Sequence, residues 1–315
     1  MAQQLDLSTL NGFEGMPAGR FMMPMANDER PEHGHRMPID ENHRFRKHLV
    51  RLMMFGLMTK QPVSFVGPAG CGKSREIPQF LERINQAYEF VSCHDGLEAA
   101  DLFGYERVRG GPDGSGVDTV YIDGPVLRAM RTGIPLVLDE RDSLAATVAL
   151  SLNNVLDGLG YTIPETGEHI TAQEGFCVIG TSNTNGGGDE NGSYNTSNVH
   201  SRSTNSRWLV ENVDYLTAAE EENLLKSLVP DDRIDEEAIE CLVKFATATR
   251  ESAAAGEMEH PMATRELVQT VQYSMLINSL ANAIGPAYFN KLGSADRGIA
   301  ESHWSLVFGT DEDGS

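Results

Sequence analysis

One stretch of the sequence has the residue types and spacing of a nucleotide phosphate site. It consists of eight consecutive residues, Gly67, Pro68, Ala69, Gly70, Cys71, Gly72, Lys73 and Ser74. They match the pattern G-x-x-x-x-G-K-[ST], whose glycines let successive backbone N–H groups point at phosphate oxygens. Lys73 would reach the β- and γ-phosphates, and the hydroxyl of Ser74 would ligate Mg²⁺. A chance glycine-rich turn is the alternative, so the interpretation depends on the rest of the chain.

Two carboxylates follow an apolar run further along the chain. The run 134–138 ends in Asp139 and Glu140. Continuous apolar runs are typical of strands buried on both faces of a parallel sheet, and ligands of such sheets collect where the strands end. Asp139 would hold the Mg²⁺ shell, and Glu140 would orient and polarise the attacking water. A charge pair at the N-terminus of a helix is the alternative.

A second apolar run, 176–181, ends in Ser182 and Asn183. A polar side chain at this strand tip would lie beside the γ-phosphate and hold the lytic water, and Asn183 is the candidate. An Asn after a strand is also ordinary turn chemistry. Asn183 therefore supports a nucleotide site only in combination with the phosphate loop and the carboxylate pair that precede it.

Alternating strands and helices would bring these residues together. A β-branched and aromatic run at 63–66 predicts a strand before the phosphate loop, and a helix follows the loop. Further strands and hairpins are predicted at 88–93, 101–122, 134–140, 161–171, 176–181 and 209–213. Beyond Tyr215 the pattern becomes helical, and Thr217 and Glu220 form a capping box. The prediction is an α/β fold with helices on both faces of a parallel sheet, followed by a small α-helical domain.

Composition divides the chain into parts and limits its partners. The N-terminal segment is rich in Gly, Met, Pro and charge, which predicts an extended arm in which a loose group of histidines is solvated rather than metal-bound. The predicted parts are this arm at 1–38, the α/β domain at 39–214, the helical domain at 215–309 and an acidic tail at 310–315. The net charge of −21 disfavours nucleic acid as a partner.

Membrane and secretion signals are missing from the patterns of the sequence. No apolar run approaches the roughly 20 residues of a membrane helix. No basic region followed by an apolar segment opens the chain, so we expect no signal peptide and a cytoplasmic protein. The 4 cysteines lie far apart without a C-x-x-C pair, which is typical of buried thiols in a reducing compartment.

The order of these motifs resembles the AAA+ ATPases, and within them the MoxR branch. Typical of that branch are the segments 123–130 and 133–140, which contain DGPVLRAM and GIPLVLDE. The set 181–183, 188–189, 192–194 and 206–208 is similar to the ATPase subunit of aerobic cobaltochelatase and its phage- or plasmid-borne relatives. The resemblance covers residues 20–308. It implies an AAA+ P-loop core with an insert in helix 2, a hairpin before the sensor-1 strand and a helical lid.

The resemblance also implies a role for each residue that matches a family motif. Lys73 and Ser74 match Walker A, Asp139 and Glu140 match Walker B, and Asn183 matches sensor 1. ATP and Mg²⁺ are the cofactors that this set implies. The absence of an N-K-x-D motif disfavours GTP.

Two arginines complete the set that the resemblance implies. Arg207 matches the arginine finger, which reaches the γ-phosphate of a neighbouring subunit, and Arg265 matches sensor 2 at the start of a lid helix. Ser206 replaces the usual Asp before the finger, and Arg202 lies five residues upstream of Arg207. Which of the two reaches across a subunit boundary is therefore open. Arg141, after the Walker B pair, also departs from the apolar or aromatic residue that is common there.

The function implied by the resemblance is ATP hydrolysis by a ring, expected to be a hexamer, that remodels or activates a partner complex. The implied partner contains a von Willebrand factor A domain. The implied client is either a chelatase large subunit, which inserts cobalt into a corrin ring, or another metalloenzyme. A nucleotide-gated scaffold with negligible turnover and a DNA-remodelling motor are the alternatives. The complete set of catalytic residues disfavours the first alternative, and the negative charge disfavours the second.

Overall fold

The structure is a computed structural model, and it describes residues 4–19, 22–26, 34–110, 117–184, 198, 201–230 and 233–309. The predicted acidic tail and the motifs at 188–189 and 192–194 lie outside these residues. Backbone contacts divide the chain into two units. The first unit contains Met1–Gly67 and Lys73–Val213, and the second contains Pro68–Gly72 and Asp214–Ser315.

The described residues form eleven strands and twelve α-helices. The strands are β1 (Gln4–Asp6), β2 (Met22–Pro24), β3 (Val63–Val66), β4 (Glu89–Ser92), β5 (Gly104–Gly110), β6 (Val117–Asp123), β7 (Leu136–Asp139), β8 (Tyr161–Thr162), β9 (His169–Ile170), β10 (Val178–Ser182) and β11 (Leu209–Asn212). The helices are α1 (Lys47–Thr59), α2 (Lys73–Arg83), α3 (Ala99–Phe103), α4 (Pro125–Thr132), α5 (Ala146–Ser151), α6 (Asn153–Leu156), α7 (Arg202–Asn205), α8 (Ala218–Leu228), α9 (Glu236–Ala254), α10 (Thr264–Ile277), α11 (Leu280–Ala287) and α12 (Ser294–Phe308).

A five-stranded parallel sheet organises the first unit, in the order β11-β3-β10-β7-β4. Its three central strands are buried along almost their whole length, which is why they read as continuous apolar runs. The register sets Ser182 opposite Val66, so the tip of β10 is level with the start of the phosphate loop. The predicted α/β fold with a parallel sheet is confirmed.

Both predicted hairpins are present. Strands β5 and β6 pair antiparallel from Gly104 opposite Asp123 to Gly110 opposite Val117, and β8 pairs with β9. Gly104 has a φ of 125°, and a Cβ there would lie 2.1 Å from the carbonyl oxygen of Ile122. Glycine is therefore required where the first hairpin leaves the core.

The prediction of an extended N-terminal arm is wrong for the described residues. Strands β1 and β2 form an antiparallel pair. Leu7, Leu10 and Phe13 are each at most 5% exposed, and Phe13 is among the largest fully buried side chains. The prediction failed because these buried apolar residues belong to short turns, so their spacing shows neither the helix period nor the strand period.

The next segment is fixed to the helix that follows the phosphate loop. Glu76 and Gln79 are buried on α2, and their side chains accept hydrogen bonds from the backbone N–H groups of Arg46, at 2.7 Å, and Asp40, at 2.9 Å. These bonds hold the chain in a non-helical path as far as Arg46. As a result α1 begins only at Lys47.

Helices make up the second unit, as the sequence predicts. Its core is an aromatic cluster in which Phe245 contacts Trp304 edge-on at 5.2 Å between ring centroids. Buried Glu221 forms a bidentate ion pair with Arg250, with both N···O distances at 2.9 Å. Helices α10 and α11 are separate because Asn278 adopts a left-handed conformation between them.

Among the described residues no helix is both long and apolar enough to cross a membrane.

Candidate functional site

The phosphate loop has the backbone conformation that its glycines allow. Strand β3 ends at Val66 and α2 begins at Lys73, so the loop lies between a strand and a helix, as the motif requires. Gly70 and Gly72 have φ angles of 74° and 98°, which favour glycine. A Cβ on Gly67 would lie 1.8 Å from the carbonyl oxygen of Val213.

Lys73 and Asn183 lie together, although 110 residues separate them in sequence. The ammonium of Lys73 donates to Gly67 O at 2.6 Å and to Asn183 Oδ1 at 3.1 Å. The two residues meet because β3 and β10 are neighbours in the sheet and their carboxyl ends are level. The structure thus places the Walker A lysine and the sensor-1 candidate in one site.

The Walker B pair lies at the end of β7, beside Thr181 of β10. The Thr181 hydroxyl donates to Asp139 Oδ1 at 2.6 Å and accepts from the backbone N–H of Glu140 at 2.9 Å. Glu140 adopts φ 54° and ψ 45°, a left-handed conformation that is uncommon for non-glycine residues. Such conformations concentrate at functional sites, where the surrounding structure maintains them.

Thr181 was not predicted as a site residue, although it is completely buried at the tip of an apolar strand. Its position two residues before Asn183 is the one signal in the sequence that could have identified it.

Thr181→Val should lower the ATP turnover of the enzyme about 10-fold, because Asp139 and Glu140 lose the hydroxyl that orients them. Thr181→Ser, which keeps the hydroxyl, should stay near wild type. Equal turnover in the Val and Ser variants would show that the hydroxyl does not matter.

Asp142 holds the tip of the sensor-1 strand. Its Oδ2 atom accepts hydrogen bonds from Asn183 N at 3.1 Å, Thr184 N at 2.9 Å and Thr184 Oγ1 at 3.0 Å. Asp142 is 1% exposed, in the turn that follows Glu140. The sequence gives no signal for this role, because an Asp three residues after Asp139 reads as part of a charged turn.

The two finger candidates differ in their contacts. Arg207 forms a bidentate ion pair with Asp157, with Nε and Nη2 each 2.8 Å from a carboxylate oxygen, and its Nη1 donates to Ser203 O. Hydrogen bonding to Asp157 raises the pKa of Arg207 further above its ordinary value, so the side chain is a cation. The Arg202 side chain is exposed, and it has no ion pair with the described residues.

Within the second unit, the predicted sensor-2 residue lies in the first turn of α10, which packs against loop residues 68–72. A Cβ on Gly70 would lie 2.6 Å from Ala263 Cβ and 3.6 Å from Arg265 Cβ. The start of α10 is fixed by a 3.0 Å hydrogen bond from Ala263 N to Glu266 Oε2. Arg265 therefore lies beside the backbone of loop residues 68–72.

The donor atoms of the site fit Mg²⁺ and a nucleotide. Ser74 offers a hydroxyl and Asp139 a carboxylate, which are the hard oxygen ligands that Mg²⁺ binds together with phosphates and water. Among the described residues no group of three His, Cys, Asp or Glu side chains could hold another metal. Burial beside Asp139 raises the pKa of Cys93, so this thiol is not a thiolate ligand.

One family model and several known proteins are similar to this chain. Residues 62–199 match the family model described as AAA domain (dynein-related subfamily). Denitrification regulatory protein NirQ of Stutzerimonas stutzeri is 31% identical over 67% of this chain and 71% of its own. Protein NorQ of Paracoccus denitrificans (strain Pd 1222) is 29% identical over 73% and 80%. The aerobic cobaltochelatase subunit CobS of Sinorhizobium sp is 25% identical over 86% and 82%.

The family model spans the phosphate loop, the Walker B pair and Asn183, which are the residues that the fold brings to one edge of the sheet. The relatives extend the match through most of the chain. The chain belongs to the MoxR-type AAA+ ATPases.

Proposed function

We propose that this chain hydrolyses ATP with Mg²⁺ as one subunit of a ring of six. The observation that carries the proposal is the cluster of Lys73, Asn183, Asp139 and Glu140, which the fold assembles from three distant parts of the chain. Hydrolysis would drive the remodelling or activation of a partner complex. A nucleotide-gated scaffold would not need this complete catalytic set.

The residues divide the work of hydrolysis. Lys73 is already held by Gly67 O and Asn183, so its ammonium has a defined position from which to contact the β- and γ-phosphates. Glu140 would accept a proton from the attacking water, and the Asn183 amide would hold that water. Ser74 and Asp139 would hold Mg²⁺, whose charge would offset the negative charge of the phosphates. Arg207 of a neighbouring subunit would stabilise charge in the transition state.

The partner and the client are proposed from the relatives. The relative named aerobic cobaltochelatase subunit CobS supports a role in cobalt chelation. The motif resemblance supplies the rest of this proposal, in which a chelatase large subunit inserts cobalt into a corrin ring and a von Willebrand factor A-type protein is the partner. The relative named denitrification regulatory protein NirQ supports the regulation of a different client. Both readings use the same ATPase ring, so the ring can be tested before the client is known.

The test of the ring is ATP turnover per subunit as a function of protein concentration. A site completed by a neighbour is active only in the assembly, so turnover per subunit should rise with concentration and level off when light scattering reports a full ring. Turnover that is constant from the monomer range to the assembled range would contradict the proposal. A preparation with no ATP turnover at any concentration would favour the scaffold.

A further inference from the structure

Arg141 is a buried cation directly after the Walker B pair. Arg141 is 4% exposed, and its Nε donates a hydrogen bond to Ser64 Oγ at 2.8 Å. Ser64 belongs to β3, the strand that leads into the phosphate loop. A buried charge is costly to retain, which calls for a specific role.

The guanidinium of Arg141 packs on the indole of Trp208. Its central carbon is 4.6 Å from the ring centroid, within the range of a cation–π contact. Trp208 Nε1 is buried without an acceptor among the described residues, so no hydrogen bond from the indole fixes the ring. A Cβ on Gly180 would lie 2.7 Å from Arg141 Cδ and 3.2 Å from Trp208. Glycine at 180 therefore leaves the space in which the two side chains meet.

Trp208 adjoins Arg207, the candidate arginine finger. The two residues leave α7 in a tight turn, with hydrogen bonds from Arg207 N to Thr204 O at 3.4 Å and from Trp208 N to Asn205 O at 3.2 Å. Strand β11 begins at the next residue. The indole is thus anchored one residue from Arg207, in the same turn.

We propose that Arg141 is a positioning residue for the arginine finger: through Trp208 it joins the end of the Walker B strand to the segment that carries Arg207. The inference rests on the proposed ring, in which Arg207 serves a neighbour. Arg141 then affects the active site of the next subunit, although it lies beside Glu140 of its own. A purely structural cation would impair its own subunit alone.

Mixed rings distinguish these two effects. Arg207→Ala subunits keep their own catalytic residues, and Glu140→Gln subunits keep their finger, so a 1:1 mixture should recover up to about a quarter of wild-type turnover at the mixed interfaces. Arg141→Met alone should lose about 10- to 100-fold in turnover, since small misplacements of a catalytic group have effects of this size. Mixed 1:1 with Glu140→Gln, it should recover turnover as the Arg207→Ala mixture does.

Conservative variants separate positioning from folding. Arg141→Lys and Trp208→Phe keep a cation and a ring, and each should lose less turnover than Arg141→Met and Trp208→Leu. All four should bind a fluorescent ATP analogue with wild-type affinity and form rings of normal size. The Arg141→Met loss should thus fall on kcat and not on KM.

Three outcomes would overturn the inference. If the Arg207→Ala mixture recovers turnover and the Arg141→Met mixture does not, Arg141 serves its own subunit, and the ring proposal stands. If neither mixture recovers turnover although mixed rings form, the trans finger itself is wrong and the inference is lost with it. Unequal melting temperatures of Arg141→Met and wild type, with no turnover in Arg141→Lys, would likewise indicate a purely structural role.

Discussion

Arg207→Ala is expected to lower ATP turnover of the assembled ring by on the order of 10³-fold or more, the range known for the loss of an arginine finger. The effect is large because a finger contributes charge stabilisation only in the transition state, so its loss lowers kcat with little change in nucleotide affinity. The measurement is kcat and KM for ATP at a concentration where wild-type rings are complete, with ring formation checked for the variant.

The ion pair of Arg207 with Asp157 makes a matched control necessary. Arg207→Ala removes both the finger and the pair, whereas Asp157→Asn removes only the charge of the partner. Arg207 has to leave Asp157 to reach a phosphate, and an ion pair that is partly open to solvent contributes little to stability. Asp157→Asn should therefore keep wild-type turnover or exceed it. A loss in Asp157→Asn equal to that in Arg207→Ala would mean that the pair matters only for the local fold.

The competing hypothesis is that Arg202, and not Arg207, is the arginine finger. It is exposed and has no ion pair with the described residues, so it could reach across a boundary without first breaking a contact. If Arg202→Ala abolishes turnover and Arg207→Ala does not, Arg202 is the finger, and Arg207 with Asp157 braces the segment after α6. The expectation is the reverse, with Arg202→Ala within a few-fold of wild type.

The residues at strand ends were predictable because strand burial and motif spacing are both local signals. Lys73, Asp139 and Asn183 each follow an apolar run, and parallel strands of one sheet present their carboxyl ends at one edge. The sequence could not show that Lys73 would bond directly to Asn183. That contact depends on β3 and β10 being neighbours, and strand order is a property of the whole sheet.

The sequence did not indicate Asp142 and Arg141 as positioning residues, and for Thr181 it offered only the position two residues before Asn183. Their roles come from hydrogen bonds and a ring contact with residues more than 20 positions away, and each side chain by itself is ordinary for a strand or a turn. The N-terminal segment was missed for a related reason. Its apolar residues are buried one at a time, so no periodicity indicated that they contribute to the core.

Glu140→Gln is expected to abolish most ATP turnover, by about 10²- to 10⁴-fold, and to leave ATP binding intact. The amide keeps the size of the side chain but cannot accept a proton from water. Glutamine meets the same left-handed backbone requirement as Glu140, and the 2.9 Å bond from the N–H at residue 140 to Thr181 Oγ1 is kept. The variant therefore isolates the proton-accepting step from the geometry of the strand end.

Lys73→Ala is the control that separates binding from chemistry. Its loss should weaken ATP binding itself, because the ammonium contacts the phosphates in the ground state. The affinity for a fluorescent ATP analogue reports binding, and kcat reports the chemical step. Comparing the two for each variant shows which of them the residue serves. If Glu140→Gln keeps more than a tenth of wild-type turnover, Glu140 is not the proton acceptor. Asp142 would then be the carboxylate to examine, since its Oδ2 accepts a hydrogen bond from the backbone N–H of Asn183, whose side chain is proposed to hold the water.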